Sequence, residues 1–347
     1  MVRNSLWRNK RDKLLDNLKL NFNEKRVLVT GGAGFIGSEV VAQLLKKGAI
    51  ISILDNFSSG KKQYLPRNKK LKVFKGDIRD EKLTAKAIKD QEVIINLAAL
   101  PFIPDSFFHP SDFFSVNTMG SVNLLWQAIN AKTSELFIHI STSEVYGSAQ
   151  KIPMDENHPT APHSTYAVSK LAADRSAFTL HKENGFPTVV IRPFNSYGPR
   201  FTEPYIIPEI MNQILKGVKE LTLGNVNTSR DFTFVEDTAD GIIRCINNKM
   251  AIGEIINIGS GTEISILNLA KKILKISKKK IDIKYDESRE RPYDVNRLIC
   301  NNNKAKKILK WKPRISIFEG LTKDNKDMND DEDDEDDEDD EDDEDDE

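Results

Sequence analysis

Short apolar runs alternate along the chain with longer stretches at helical spacing. Arg26-Val27-Leu28-Val29-Thr30 is a compact, β-branched run, and similar runs follow at Ile50 to Leu54, Leu71 to Phe74, Val93 to Leu97, Leu136 to Ile140 and Thr188 to Ile191. Runs this short and this apolar predict strands buried on both faces. Between them the period lengthens. Val40, Val41, Leu44 and Leu45 mark a helix after the first strand, and Asp112 to Ala131 and Thr165 to Lys182 predict two long helices. Regular alternation of this kind predicts an α/β fold built on a doubly wound parallel sheet. After Arg192-Pro193 the rhythm breaks, with Pro199, Pro204 and Pro208 marking loops. Ile206 to Lys216 then reads as a helix, and Phe232 to Val235 and Ile255 to Ile258 as strands that rejoin the sheet. A last helix is expected at Lys304 to Leu309, with order ending near Leu321.

Charge changes the picture of the two ends. The formal net charge of −2 is misleading, because residues 330–347 are all Asp or Glu. Without them, 35 acidic residues face 51 Lys and Arg, a body of net charge +16. A basic body favours anionic ligands. Its Lys are dispersed with no aromatic interleaving, so anionic nucleotides are the expected ligands and nucleic acid is not. The acidic tail cannot bury apolar surface and is expected to be disordered, a solvated tail with no specific role ahead of one that screens the body or binds a basic partner. No apolar run approaches the ~20 residues of a membrane span, and the start of the chain lacks the apolar stretch of a secretory signal. With Cys245 and Cys300 the only cysteines, a reducing cytoplasm is the expected compartment. The five His (109, 139, 158, 163, 181) and two Cys have no metal-ligand spacing, so no metal is expected.

Two clusters carry the candidate chemistry. The first strand runs into Gly31-Gly32-Ala33-Gly34-Phe35-Ile36-Gly37 and then a helix. Glycines permit the tight turn, and the N–H groups at the helix start face a pyrophosphate. Asp55 ends the second strand, about 20 residues beyond the glycines, where a carboxylate accepts the adenosine ribose hydroxyls. That favours NAD; Lys61 and Lys62 could instead meet the 2′-phosphate of NADP. The second cluster is Thr142-Ser143-Glu144 with Tyr166 and Lys170. Tyr and Lys four apart share one helix face. An ammonium under the phenol is expected to lower its pKa from about 10 toward the range of a general base for a sugar hydroxyl. Glu144 adds a carboxylate able to take the proton beside a newly formed ketone. Taken alone, Tyr-x-x-x-Lys is an ordinary helix turn; the glycine fingerprint is what gives it weight.

These segments, in this order, resemble the extended short-chain dehydrogenase/reductase family, and within it the nucleotide-sugar 4,6-dehydratases. The resemblance runs from about Lys25 to Leu321. It rests on Thr30 to Gly37, Asp55-Asn56, Gly76-Asp77-Ile78, Asn96-Leu97-Ala98-Ala99, Ser141 to Gly147, Tyr166 to Lys170, Arg192 to Arg200, Ser229 to Phe232 and Arg291-Pro292. The wording is most similar to UDP-N-acetylglucosamine 4,6-dehydratases of the legionaminic acid type. The resemblance implies an NAD-binding Rossmann domain over 25–195, with 232–260 rejoining it, and a smaller substrate lobe over 196–321. A basic extension over 1–24 and an acidic tail over 322–347 flank them. It implies that Asp77 and Ile78 hold the adenine, that Leu97, Ala98 and Ala99 line the cofactor with Asn56, and that Asn195, Arg200, Arg230 and Arg291 grip the substrate. Arg230 beside Asp231 could otherwise be a surface ion pair. The family's chemistry implies C4 oxidation assisted by Tyr166, Thr142 and Lys170, C5 deprotonation by Glu144, loss of water from C6 and hydride return to C6. Ser143 stands where dTDP-glucose dehydratases carry Asp. The Ser-Glu pair also occurs in GDP-mannose dehydratases and UDP-glucuronate decarboxylases, so decarboxylase and C4 epimerase chemistry stay open, as does a non-catalytic NAD-binding scaffold. Relatives of this kind dimerise through their two long helices.

Overall fold

The computed structural model describes residues 22–200, 204–290 and 294–324. Most of the N-terminal extension, the acidic tail and Arg291 lie outside the described residues. Seven parallel strands form the main sheet, in the spatial order Ile255–Ile258, Thr188–Pro193, Leu136–Ile140, Val93–Asn96, Arg26–Thr30, Ile50–Asp55, Leu71–Lys75. The register aligns Val27 with both Ile51 and Val93, and Ile138 with Val189. Four central strands are buried along nearly their whole length, as a sheet covered on both faces requires. One face packs Val27, Val29, Ile53 and Ile138 against the helix Phe35–Lys46 and against Ala239, Ile242 and Trp311. The other packs Leu28, Ile94 and Phe137 against Leu124, Ala128 and Ala177 of the two long helices.

Those helices have clear local causes. Thr165–Asn184 begins where the Ser164 hydroxyl accepts the Ala167 N–H at 3.1 Å and ends where Gly185 turns left-handed (φ 71°). The other runs continuously through Pro110–Phe113, Phe114–Gly120 and Ser121–Asn130, and its middle segment is π-helical. The wider turn brings Asn117 inward. Its Oδ1 accepts the Leu100 N–H at 2.7 Å, and its amide donates to the Leu100 carbonyl at 3.1 Å and to the Ser169 hydroxyl at 3.0 Å. A loop that follows one strand is thereby fastened to the second long helix.

The smaller lobe has its own core, in which Ile207, Ile210 and Ile214 of the helix Ile206–Leu215 meet Leu269 and Ile273 of Ile266–Ile276, with Leu221, Phe234 and Leu321. Ile255–Ile258 does join the main sheet, at its edge beside Thr188–Pro193. Phe232–Phe234 does not: it pairs with Asn195–Tyr197 in a separate two-stranded sheet. Its aromatic residues pack on Tyr197 in the lobe core, and that packing decides its partner.

Asp231 is wholly buried where three segments meet. Its carboxylate accepts the N–H groups of Ser260 (2.8 Å), Gly261 (2.8 Å) and Cys300 (3.0 Å) and the Ser260 hydroxyl. Burial pushes its pKa up, and these donors pull in the opposite direction. Asp231→Ala should therefore strand three N–H groups, that of Cys300 fully buried, and lower the unfolding free energy by about 2–4 kcal/mol. A urea titration of both proteins measures this, and a loss under about 1 kcal/mol would contradict the assignment.

Candidate active site

The carboxyl ends of the central strands and the inner face of the smaller lobe enclose a cleft of about 1000 Å³. Its floor is the glycine turn. Gly31 has φ 67°, and a Cβ there would lie 2.8 Å from the Ala98 nitrogen; one on Gly37 would meet the Gly31 carbonyl at 2.0 Å. The helix that follows starts on Gly34 with no side-chain cap, so its first turn presents backbone donors rather than a capping side chain. Gly31, Gly34, Phe35, Ile36 and Gly37 all line the cleft. Asp55 lines it too, with one oxygen taking the Ala33 N–H (2.9 Å) and the other the Phe57 N–H (2.8 Å). Both oxygens are thus fixed in place with lone pairs to spare. Asn56 and Asp77 stand beside it, their side chains 3.3 Å apart, followed by Ile78, Leu97, Ala98 and Ala99. The side chain of Arg79, hydrogen-bonded to Asp77, holds that carboxyl below its ordinary pKa. This cradle suits a dinucleotide: room for pyrophosphate at an uncapped helix start and an anchored acid for a ribose. Lys61, the alternative 2′-phosphate partner, lies over the Tyr64 ring with its Nζ 5.6 Å from the centroid.

Thr142, Ser143, Glu144, Tyr166 and Lys170 converge on the opposite wall. The first three sit on a tight helical turn after the strand Leu136–Ile140, where the Thr142 hydroxyl accepts the Glu144 N–H at 3.2 Å. Lys170 is buried, and its Nζ donates to the Ile140 carbonyl at 2.6 Å. The expectation for Tyr166 needs correcting. Its pKa is pushed up to about 12, because burial outweighs the hydrogen bond with Thr142 and the Glu144 charge adds to the rise. Burial brings Lys170 down to about 8, against the pull of Asp174. Losing hydration disfavours the charged form of either group, so in the bare protein this effect dominates the lysine's support for a phenolate.

Asn195 lines the cleft with its buried Oδ1 unpartnered. Arg230 lines it as well, and its guanidinium donates to Asp294 at 2.8 Å. No surface pair with Asp231 forms, since that carboxylate is enclosed elsewhere. Arg200 is absent from the cleft wall; it reaches Glu39 on the glycine-turn helix at 2.5 Å. Arg291 lies outside the described residues. Sequence reasoning missed several lining residues. Ser141 has a buried hydroxyl with no partner, Arg289 and Asp294 come from the segment around Arg291, and Phe102, Phe107 and Phe108 form an apolar rim. The Phe pair was visible as an apolar patch in a loop, yet nothing in its spacing tied it to a site. Among the described residues no group of three or more His, Cys, Asp or Glu could hold a metal, and no helix is long and apolar enough to cross a membrane.

Known proteins are similar to this chain in sequence and fold. The family profile for GDP-mannose 4,6 dehydratase matches residues 28–324. A putative UDP-glucose 4-epimerase of Methanocaldococcus jannaschii is 34% identical over 303 residues, spanning 85% of this chain and 95% of its own. The structure of an epimerase from Methanothermobacter thermautotrophicus superposes with a TM-score of 0.85 at 30% identity, covering 92% of this chain and 96% of the other. The dTDP-glucose 4,6-dehydratase of Streptomyces venezuelae, solved with NAD bound, superposes with a TM-score of 0.82 at 29% identity, covering 88% and 97%.

The buried Lys170 yields a prediction whose sign is fixed. Its folded pKa of about 8 lies below the unfolded value, so between about pH 8 and pH 10.4 the unfolded chain binds the extra proton and stability rises with pH. Below that window the cost of burying the ammonium is fully present. With nucleotide removed, the wild-type protein should gain on Lys170→Met across this window, at up to about 1.4 kcal/mol per pH unit. Denaturant titrations at a series of pH values provide the measurement; a flat difference would contradict it.

Proposed function

The chain belongs to the extended short-chain dehydrogenase/reductase family through its GDP-mannose 4,6 dehydratase domain, and from that premise we propose that it is an NAD-dependent nucleotide-sugar 4,6-dehydratase. The observation carrying this reading is Glu144, which shares the cleft wall with Tyr166 closely enough for its charge to act on the phenol. We assign a nucleoside diphosphate hexose as substrate, with UDP-N-acetylglucosamine the first candidate.

The glycine turn and Asp55 would hold NAD, which when bound would supply reversible hydride chemistry. Tyr166 takes the proton of the sugar 4-hydroxyl, with Thr142 orienting its oxygen and Lys170 supporting the negative charge that develops. The resulting 4-ketone acidifies C5, and Glu144 removes that proton. Water leaves from C6, with its proton coming from Glu144 or solvent because Ser143 is a poor acid. The hydride is accepted at C6 and a proton at C5, giving the 4-keto-6-deoxy sugar. Asn195 and Arg230 hold the diphosphate end, where the planar guanidinium offers phosphate a paired donor.

A second reading, C4 epimerisation, is favoured by the likeness to two epimerases. It uses Thr142, Tyr166 and Lys170 but has no task for Glu144. The destination of hydrogen separates the two. In heavy water, with a UDP-sugar deuterated at C4, a dehydratase yields product with the original deuterium at C6 and solvent deuterium at C5. Deuterium retained at C4 with C5 unlabelled would establish the epimerase, and release of carbon dioxide from a uronate would establish the decarboxylase. In parallel, Glu144→Gln should keep NAD bound while product formation falls by at least about 100-fold.

The long helices carry exposed Phe114, Met119, Trp126 and Val168, an apolar surface that a second copy would cover. Light scattering at micromolar protein should give twice the monomer mass; a monomer would contradict this pairing.

A further inference from the structure

Asp174, Arg192 and Tyr146, none of which lines the cleft, are packed into one buried cluster. Asp174 follows Lys170 by one helical turn and Tyr166 by two, on the same face. It is fully buried; its Oδ2 accepts Arg192 Nε at 2.8 Å and its Oδ1 accepts Arg192 Nη2 at 3.2 Å. Arg175 adds bonds to Oδ1 at 2.9 and 2.6 Å. Burial alone would raise the Asp174 pKa; the two guanidinium groups reverse that and hold it below its ordinary value. The Arg192 guanidinium, 2% exposed, lies 4.8 Å from the centre of the Tyr146 ring, whose hydroxyl donates to Asn257 at 2.7 Å.

A buried ion pair is weak evidence for stability, since desolvating both charges offsets much of their attraction. Its placement points elsewhere. The cluster joins the helix of Tyr166 and Lys170, the turn that carries Glu144 two residues before Tyr146, and the strand that leads from Arg192 to Asn195. We propose that Asp174 and Arg192 are a positioning pair: they lock the catalytic helix in register with the substrate-binding strand, and Asp174 is the counter-charge that keeps Lys170 an ammonium. The groups facing Lys170 agree with this role. The Ile140 carbonyl accepts a hydrogen bond from its Nζ, and burial keeps the His139 imidazole neutral, pulling its pKa down to about 3. Tyr166 is uncharged, and Asp174 alone among these is an anion.

The inference rests on Tyr166 and Lys170 being the acid–base pair, so its test has one arm that needs no sugar. The pH inflection in the stability difference between Lys170 and Lys170→Met reports the ionisation of Lys170. In the neutral pair Asp174→Asn/Arg192→Gln this inflection should fall by about one pH unit, and in Asp174→Glu it should return to the wild-type position. The second arm follows reduction of bound NAD at 340 nm on mixing the holoenzyme with UDP-N-acetylglucosamine or UDP-glucose. Arg192→Lys, which keeps the charge but loses the fork, should lower the rate about tenfold or more with KM within about threefold. An unmoved inflection in a folded neutral pair overturns the proposal, as does an unchanged rate in Arg192→Lys. Failure of the neutral pair to fold would also overturn it, showing the cluster to be scaffold alone. If neither sugar reduces NAD in the wild-type protein, the functional reading fails while the inflection still decides the role of Asp174.

Discussion

The close approach of two loops at the centre of the sheet is the constraint on which everything else depends. The strands Arg26–Thr30 and Val93–Asn96 lie side by side, and the chain leaves their carboxyl ends in different directions. A crevice opens at such a switch point only if the two exits can pass in contact. Here they do, because Gly31 presents no Cβ to the Leu97 and Ala98 backbone. Below this crossing the Thr30 hydroxyl donates to Asn96 at 2.7 Å, and the Asn96 amide donates to Ser121 at 2.8 Å. The two strand ends and a long helix are thereby bound together under the cleft floor. Any side chain at Gly31 would push the loops apart and close the space that the nucleotide requires.

Around that crossing the protein gathers groups whose charges burial opposes. Lys170 and Tyr166 are both shifted toward their neutral forms, one down to about 8 and the other up to about 12. Such a site is poised rather than active. A phenol held at about 12 stays protonated near neutral pH, so a basic role for it would depend on charges brought by ligands and on the fixed ones behind it. Loss of bulk water also strengthens every remaining interaction, and a modest change in charge can then move the phenol a long way.

The parallel sheet was legible because strands covered on both faces need unbroken apolar runs, as in Val27-Leu28-Val29 and Val93-Ile94-Ile95. The glycine turn was legible because its spacing is a steric requirement. The features that escaped had no local signature. Arg200 finds Glu39 at a separation of 161 residues, which no motif encodes. Phe232–Phe234 has strand composition, but its partner was decided by aromatic packing on Tyr197. The π-helical turn at Asn117 changes helix phase without disturbing the apolar pattern. Tyr166 shows the limit most clearly: spacing placed Lys170 on its face, yet the balance between charge and desolvation depends on burial, which appears only when the chain is folded.

Burial and local geometry also account for likeness to epimerases and to a dehydratase within one fold. Oxidation of C4 requires only a held cofactor, a base and a cation, roles that the proposed reading gives to the glycine turn, Tyr166 and Lys170. The fate of the ketone then depends on whether a second base can reach C5 before the hydride goes back. In the proposed reading that choice rests on the residue at position 144 and on the turn that holds it, where the Thr142 hydroxyl accepts the Glu144 N–H and Tyr146 anchors the far end in the buried cluster. In that reading, similarity over most of the chain reports the shared first half of the chemistry. The divergence is local, and in this chain it falls on a carboxylate facing the cleft.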